Sequence, residues 1–306
     1  MRVSNKLKEK IIKFFDNLFH DKRTKEENKY MEQLTYFDGW LVNNGYLKDI
    51  STKNKMNIVP TKKLLFLNFN DCNNLISSFI ANFSNYENNP TFDIFRERFK
   101  FYYNKLRDNF GKILQEENQI FICLYCQRNY IGIFENEDAN KGYTVPDLDH
   151  FYPKSKYPFL AATISNLIPA CCICNQRIKQ DKDTYKRNII PILEENVFEK
   201  IEFNHYHTYP YINNYTKLDR KYKRYIEFFK IQEQYSLHSE IITEIQVKMN
   251  KYNRIKKKHL CECCPSLTEI KIEDLAFHEY KYVNKNKTPL WKLKQDIYKN
   301  MKNEIL

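Results

Sequence analysis

The sequence predicts an α+β fold, mostly helical, with a small cysteine-framed module embedded between helical segments. Three observations predict it. Only 5 glycines occur in 306 residues. That argues against a β protein rich in glycine turns and against a dinucleotide-binding α/β domain. Residues 91–114, TFDIFRERFKFYYNKLRDNFGKIL, set Phe92, Phe95, Phe99, Tyr102, Leu106 and Phe110 at helical spacing. Two Cys-x-x-Cys pairs, Cys123/Cys126 and Cys171/Cys174, bracket the couplet Asp149-His150.

The elements follow in chain order. Residues 4–34 read as a charged amphipathic helix. The stretch 60–85 opens with PTKKLLFLNF, a short buried strand or the start of a helix. In 91–114 the aromatic stripe is expected to be a core face rather than a ligand platform. Tyr143 to Tyr152 is bounded by Gly142 and broken by Pro146, which sets the couplet near a short strand or its turn. Residues 154–158 are a loop by composition. NQRIKQDKDTYKRN (175–188) lacks Pro and Gly and reads as a helix, with Asn175 at its start as an N-cap. A helix N-terminus is also where phosphate binds readily. Residues 189–209 alternate enough for one or two strands, including 198–203, and His205 and His207 could share a strand face. Residues 218–260 read as one or two long helices. The expected regions are 1–118 (helical), 119–190 (the module) and 191–306 (mainly helical).

Four thiolates at this spacing suit one tetrahedral structural zinc, with no open position for water. Cys172 adjoins Cys171, so either could be the third ligand; the x-x spacing favours Cys171. A second cluster, His259-Leu260-Cys261-Glu262-Cys263-Cys264 with His278 downstream, leaves a second metal site open, since no fourth ligand has convincing spacing. Nine cysteines in clusters, with no apolar run near the roughly 20 residues of a membrane span, predict a cytoplasmic chain with reduced thiols and no membrane partner. The 50 Lys+Arg against 38 Asp+Glu, a formal charge of +12, favour a phosphate backbone as partner. The 23 Tyr and 22 Phe could stack on bases, but most are expected to fill the core.

Read together, FICLYCQRNY, PDLDHFYPKSKYPFL and ISNLIPACCICNQRIKQDKD resemble the HNH endonuclease superfamily, in the subgroup whose ββα-metal hairpin and helix are clamped by a zinc ribbon. The order of elements carries the resemblance: Cys123 and Cys126, Asp149-His150 with Pro153, Asn166-Leu167-Ile168-Pro169, Cys171 and Cys174, then Asn175 and Lys179. It covers about one fifth of the chain. The resemblance implies a ββα-metal module and a metal-dependent endonuclease. His150 would be the general base, its ordinary pKa of roughly 6.5 lying near working pH. Asp149 would bind one Mg²⁺ or Mn²⁺ through a hard oxygen, with Asn175 as second ligand. Asn166 would hold the loop and orient His150. Lys154 and Lys156, or Arg177 and Lys179, would contact phosphate.

The implied substrate is duplex DNA, read with little intrinsic sequence preference, in bacterial anti-phage defence or restriction. The C-terminal helices loosely resemble, in layout, the helical extension of HNH subunits in anti-phage systems of the Septu type, which implies an ATPase partner protein. Two alternatives remain open. One is a catalytically idle zinc-ribbon module that binds nucleic acid or a partner. The other is an HNH-type RNase or tRNA-targeting toxin, because nothing in the sequence reads the 2′-hydroxyl.

Overall fold

The computed structural model describes residues 3–18, 33–51, 57–132, 134–135, 143–144 and 147–305. Among them the fold is mixed α+β, dominated by helices, with small two-stranded antiparallel sheets. No described helix is long and apolar enough to cross a membrane. Contacts divide the chain into two units, residues 1–120 with 132–194, and residues 121–131 with 195–306. The expected first region and most of the expected module therefore share one unit.

In the first unit, the helix Asn5–Asn17 begins where Ser4 Oγ accepts from Leu7 N (3.2 Å), and it buries Leu7, Ile11 and Phe15. It is shorter than the 4–34 expectation; residues 19–32 lie outside the described residues. The helix Tyr36–Asn43 opens with a capping box between Thr35 and Asp38. Strands β1 (Leu47–Asp49) and β2 (Ile58–Pro60) pair, followed by helices Lys62–Leu65 and Phe69–Asn82. PTKKLLFLNF is thus the end of a strand and the start of two helices.

The long helix Phe92–Asn118 buries all six residues of the aromatic stripe, as its spacing required. It also buries Arg98, whose guanidinium bonds the Asp38 carboxylate; both side chains are fully buried. Removing either partner would strand the other's charge in the core. Strands β3 (Phe134–Glu135) and β4 (Tyr143–Thr144) pair, as do β5 (Asp147–His150) and β6 (Leu167–Ala170).

The second unit contains the hairpin β7 (Phe203–Tyr206) and β8 (Tyr209–Ile212) and the helices Arg220–Phe228, Ile231–Tyr235, Ser239–Lys251, Arg254–Cys263, Glu269–Lys281 and Trp291–Ile305. Three expectations are corrected here. Residues 198–203 are not a strand: Val197–Glu199 is a 3₁₀ turn, and the strand starts at Phe203. His205 and His207 do not share a strand face, because His207 (φ 52°) is in the reversal and its carbonyl meets His205 Nδ1 at 2.9 Å. Residues 218–260 break into four helices. Lys230 adopts a left-handed conformation between the first two, and Asn253 caps the last by accepting from Lys256 N (3.0 Å).

Glu273 collects Lys257 and Lys281 (3.5 Å each), Lys302, and the Tyr298 hydroxyl (2.9 Å). Burial alone would raise its pKa. The bonds from Lys302 and Tyr298 and the lysine charges outweigh burial and hold the carboxyl down to about 2. A depressed carboxyl adds stability above its unfolded pKa and loses it as pH falls toward the folded value. The pairing should therefore contribute up to about 3 kcal/mol at pH 7, lost between about pH 4.5 and 2. Melting Glu273→Gln beside the parent across this range tests it. The parent should lose its advantage on acidification; parallel curves would show that Glu273 is not held by these cations.

Candidate functional site

The four cysteines of the two pairs come together. The sulfur atoms of Cys123, Cys126, Cys171 and Cys174 lie within 4.8 Å of one another, and all four residues are buried. Four Zn–S bonds of about 2.3 Å in a tetrahedron set sulfurs about 3.8 Å apart, so the cluster is compatible with a structural zinc. Cys172 is exposed and outside the group, so the third member is Cys171. Around the first pair, Gln127 N donates to Cys123 O (2.8 Å) and Cys123 N to Asn129 O (2.9 Å), with Gln127 in a left-handed turn (φ 50°). The hydroxyls of Tyr225 and Tyr235 donate to the carbonyls of Tyr125 and Cys126 (2.9 Å each).

Among the described residues this is the one group of three or more such ligands. The Cys261, Cys264 and His278 cluster does not form a second. Cys263 and Cys264 are exposed, and on helix Arg254–Cys263 the Cys263 sulfur meets only His259 Nε2, at 3.7 Å.

Strand β5 carries the couplet and pairs with β6 so that Asp149 faces Ile168 and His150 faces Leu167. The loop between the strands turns on Asn166. Its side-chain oxygen accepts from Tyr152 N (2.7 Å), and its Nδ2 donates to the carbonyls of Tyr152 and Leu160 (3.1 Å each). Asn166 thus fastens the loop, as expected. The polar contact on the His150 ring comes instead from Ala161.

His150 is buried, and its Nε2 lies 3.0 Å from Ala161 O. A carbonyl only accepts, so Nε2 carries the hydrogen and the neutral ring keeps its lone pair on Nδ1. The Tyr103 ring packs edge-on against the imidazole at 4.5 Å between centroids. Burial, then the charges of Lys154 and Lys179, push the His150 pKa down to about 3, against the bond to Ala161. The ring is neutral at pH 7, but the expected pKa near 6.5 is corrected: burial makes this imidazole a weaker base than a free one.

Asp149 and Asn175 take different partners. Lys179 Nζ lies 3.2 and 3.1 Å from the two Asp149 carboxylate oxygens and donates to His150 O at 2.7 Å. Lys179 is 1% exposed, which corrects its expected role as a phosphate contact. Its ammonium is turned inward to balance the buried Asp149. Asn175 Nδ2 and Gln176 Nε2 both donate to Asp147 Oδ2, at 3.1 and 2.9 Å. Asn175 is not the N-cap of a helix running to 188. It sits inside a seven-residue π-helix, Ile173–Lys179, that stops at left-handed Gln180. π-Helical turns are rare and recur at functional sites.

Asp147 was missed by sequence reasoning, although Asp147-Leu148-Asp149 alternates along β5 and so presents both acids on one strand face. Of the expected basic contacts, Arg177 is exposed, Lys156 approaches Glu87 at 3.9 Å, and the Lys154 amine stands 4.8 Å from the Tyr103 ring centroid. No protein-family model, curated protein or solved structure matches this chain.

Proposed function

We propose that the chain is a metal-dependent endonuclease of the HNH type that hydrolyses DNA phosphodiester bonds in the cytoplasm, in bacterial anti-phage defence or restriction. One observation carries the reading. A short antiparallel pair bearing Asp149 and His150 is followed directly by a helical turn bearing Asn175, and that turn contains one of the four clustered cysteines. His150 Nδ1 would take the proton from the attacking water. The Ala161 carbonyl fixes the ring and its tautomer. Asp149 and Asn175 carry hard oxygens that would hold Mg²⁺ or Mn²⁺, and Lys179 would yield part of its hold on Asp149. When bound, the cation supplies charge stabilisation at the phosphate and the leaving oxygen.

The Lys179–Asp149 pair also favours a second reading, a catalytically idle zinc-ribbon module that binds nucleic acid or a partner protein. Supercoiled plasmid separates the two. The full chain should nick it with Mg²⁺ or Mn²⁺ and leave it intact without them. No nicking with either metal would favour the idle module, and cleavage of RNA alone would favour an RNase.

Sequence choice is proposed to come from a partner, such as an ATPase, because no helix-turn-helix or finger motif is legible in the sequence. A cleavage map on several unrelated plasmids should then scatter. One sharp site common to all of them would overturn this and point to a self-sufficient restriction enzyme.

A further inference from the structure

The long helix Phe92–Asn118 carries a second stripe besides its apolar one. Arg96, Lys100, Tyr103 and Arg107 follow at steps of four, three and four residues, which stack on one helical face. Eleven residues at about 1.5 Å each make the stripe about 16 Å long, enough to face several successive phosphates of one strand.

Tyr103 joins the stripe to the candidate base. Its ring meets His150, and the Lys154 amine and the Arg107 guanidinium lie 4.8 and 5.8 Å from the ring centroid. Beside it, an open cleft of about 290 Å³ is lined by three cations (Arg96, Lys100, Lys154), two carboxylates (Glu97, Asp181), and Ser155, Pro158 and Ala161. Ala161, whose carbonyl accepts from His150 Nε2, is one of the lining residues, so the cleft lies one residue away from the buried imidazole.

We propose that this cleft and stripe seat the phosphate backbone, with Lys100, Arg107 and Lys154 contacting successive phosphates alongside Tyr103, the residue that packs on His150. The proposal rests on reading the chain as a phosphodiesterase.

The positive charge there is not fully spent. Lys154 stands over the Tyr103 ring rather than on a carboxylate, with Asp149 and Glu97 acting on it as neighbouring charges. Desolvation of its amine, then repulsion from Lys100 and Arg107, lowers its pKa against the pull of Asp149 and Glu97. The carboxylates near the stripe are surface partners: Asp93 to Arg96 (3.1 Å), Glu97 to Lys100 (3.0 Å) and Asp108 to Arg107 (2.8 Å). The three basic side chains are 39%, 54% and 42% exposed. Such pairs contribute about 0–1 kcal/mol and yield readily to a phosphate. Asp181 accepts from Ser155 Oγ at 2.5 Å, and the cleft sets three cations against two carboxylates, a net positive lining.

The test is the affinity of the full chain for a fluorescent DNA duplex, without added divalent metal, across a salt series. Lys100→Ala, Arg107→Ala and Lys154→Ala should each weaken binding several-fold. Each should also lower the slope of log affinity against log salt by about 0.9. Lys100→Arg should keep both, and so should Lys299→Ala, a change at an exposed lysine elsewhere. Melting curves and zinc content confirm that each variant is folded. A folded triple-alanine variant that binds like the parent overturns the proposal, as does a parent that does not bind the duplex. If the triple variant binds normally while the parent nicks plasmid, this inference falls and the nuclease reading stands. Weakened binding in a chain that never nicks keeps the cleft and removes the chemistry.

Discussion

His150→Ala should abolish plasmid nicking while leaving zinc content and duplex affinity in place. Loss of a general base costs about 10²–10⁴-fold, and the upper end is expected because no second histidine stands beside Asp149 in β5. The side chain is buried against Tyr103, so the truncation also leaves a small void. A stability loss of roughly 1–2 kcal/mol should accompany it, too little to unfold the chain. Rates are therefore to be compared well below the melting temperature. Near-parental nicking by His150→Ala would show that the active site lies elsewhere.

Asp149 needs a gentler change. Asp149→Ala would strand the buried Lys179 ammonium and could unfold the site without informing on metal binding. Asp149→Asn keeps the shape and a hydrogen-bond acceptor and should still lose activity. Asn175→Ala should be the milder loss, because a neutral ligand contributes less charge.

Cys126→Ser should release the metal and the fold around it together. Chelator-washed parent protein should return about one zinc per chain, held by Cys123, Cys126, Cys171 and Cys174. Apparent binding free energies of structural zinc reach about 10–16 kcal/mol in small domains, more than most whole domains have to spare. Breaking one of four thiolate bonds should thus lower the melting temperature sharply and expose buried tyrosines. Tyr235 is the one to follow, since its hydroxyl is bonded to the carbonyl of Cys126 itself. Cys172→Ser, at an exposed thiol outside the cluster, should change neither zinc content nor melting. A zinc-free parent that melts cooperatively at an unchanged temperature would refute the structural role.

Much of this protein was determined by local pattern. The apolar stripe from Phe92 to Phe110 had to be buried, because six large side chains on one helical face have nowhere else to go. Each cysteine pair followed from spacing, since an x-x turn brings two thiols together, while the meeting of the two pairs was completed by the tertiary fold. The strand under Asp149-His150 and the loop held by Asn166 were legible in the same way. Tertiary structure alone decided the partners. Lys179 reads as one more surface lysine until the fold sets it against Asp149, 30 residues earlier. Arg98 lies among residues of a core-facing helix, and only Asp38, 60 residues away, explains its burial. The seven-residue π-helix replaced a longer helix because bonds to Asp147 and Asp149 hold Asn175, Gln176 and Lys179 against one strand. Periodicity records which face of an element is apolar. It does not record which distant charge that face will meet, and in a low-dielectric interior that meeting sets whether a lysine is buried and what a histidine's pKa becomes.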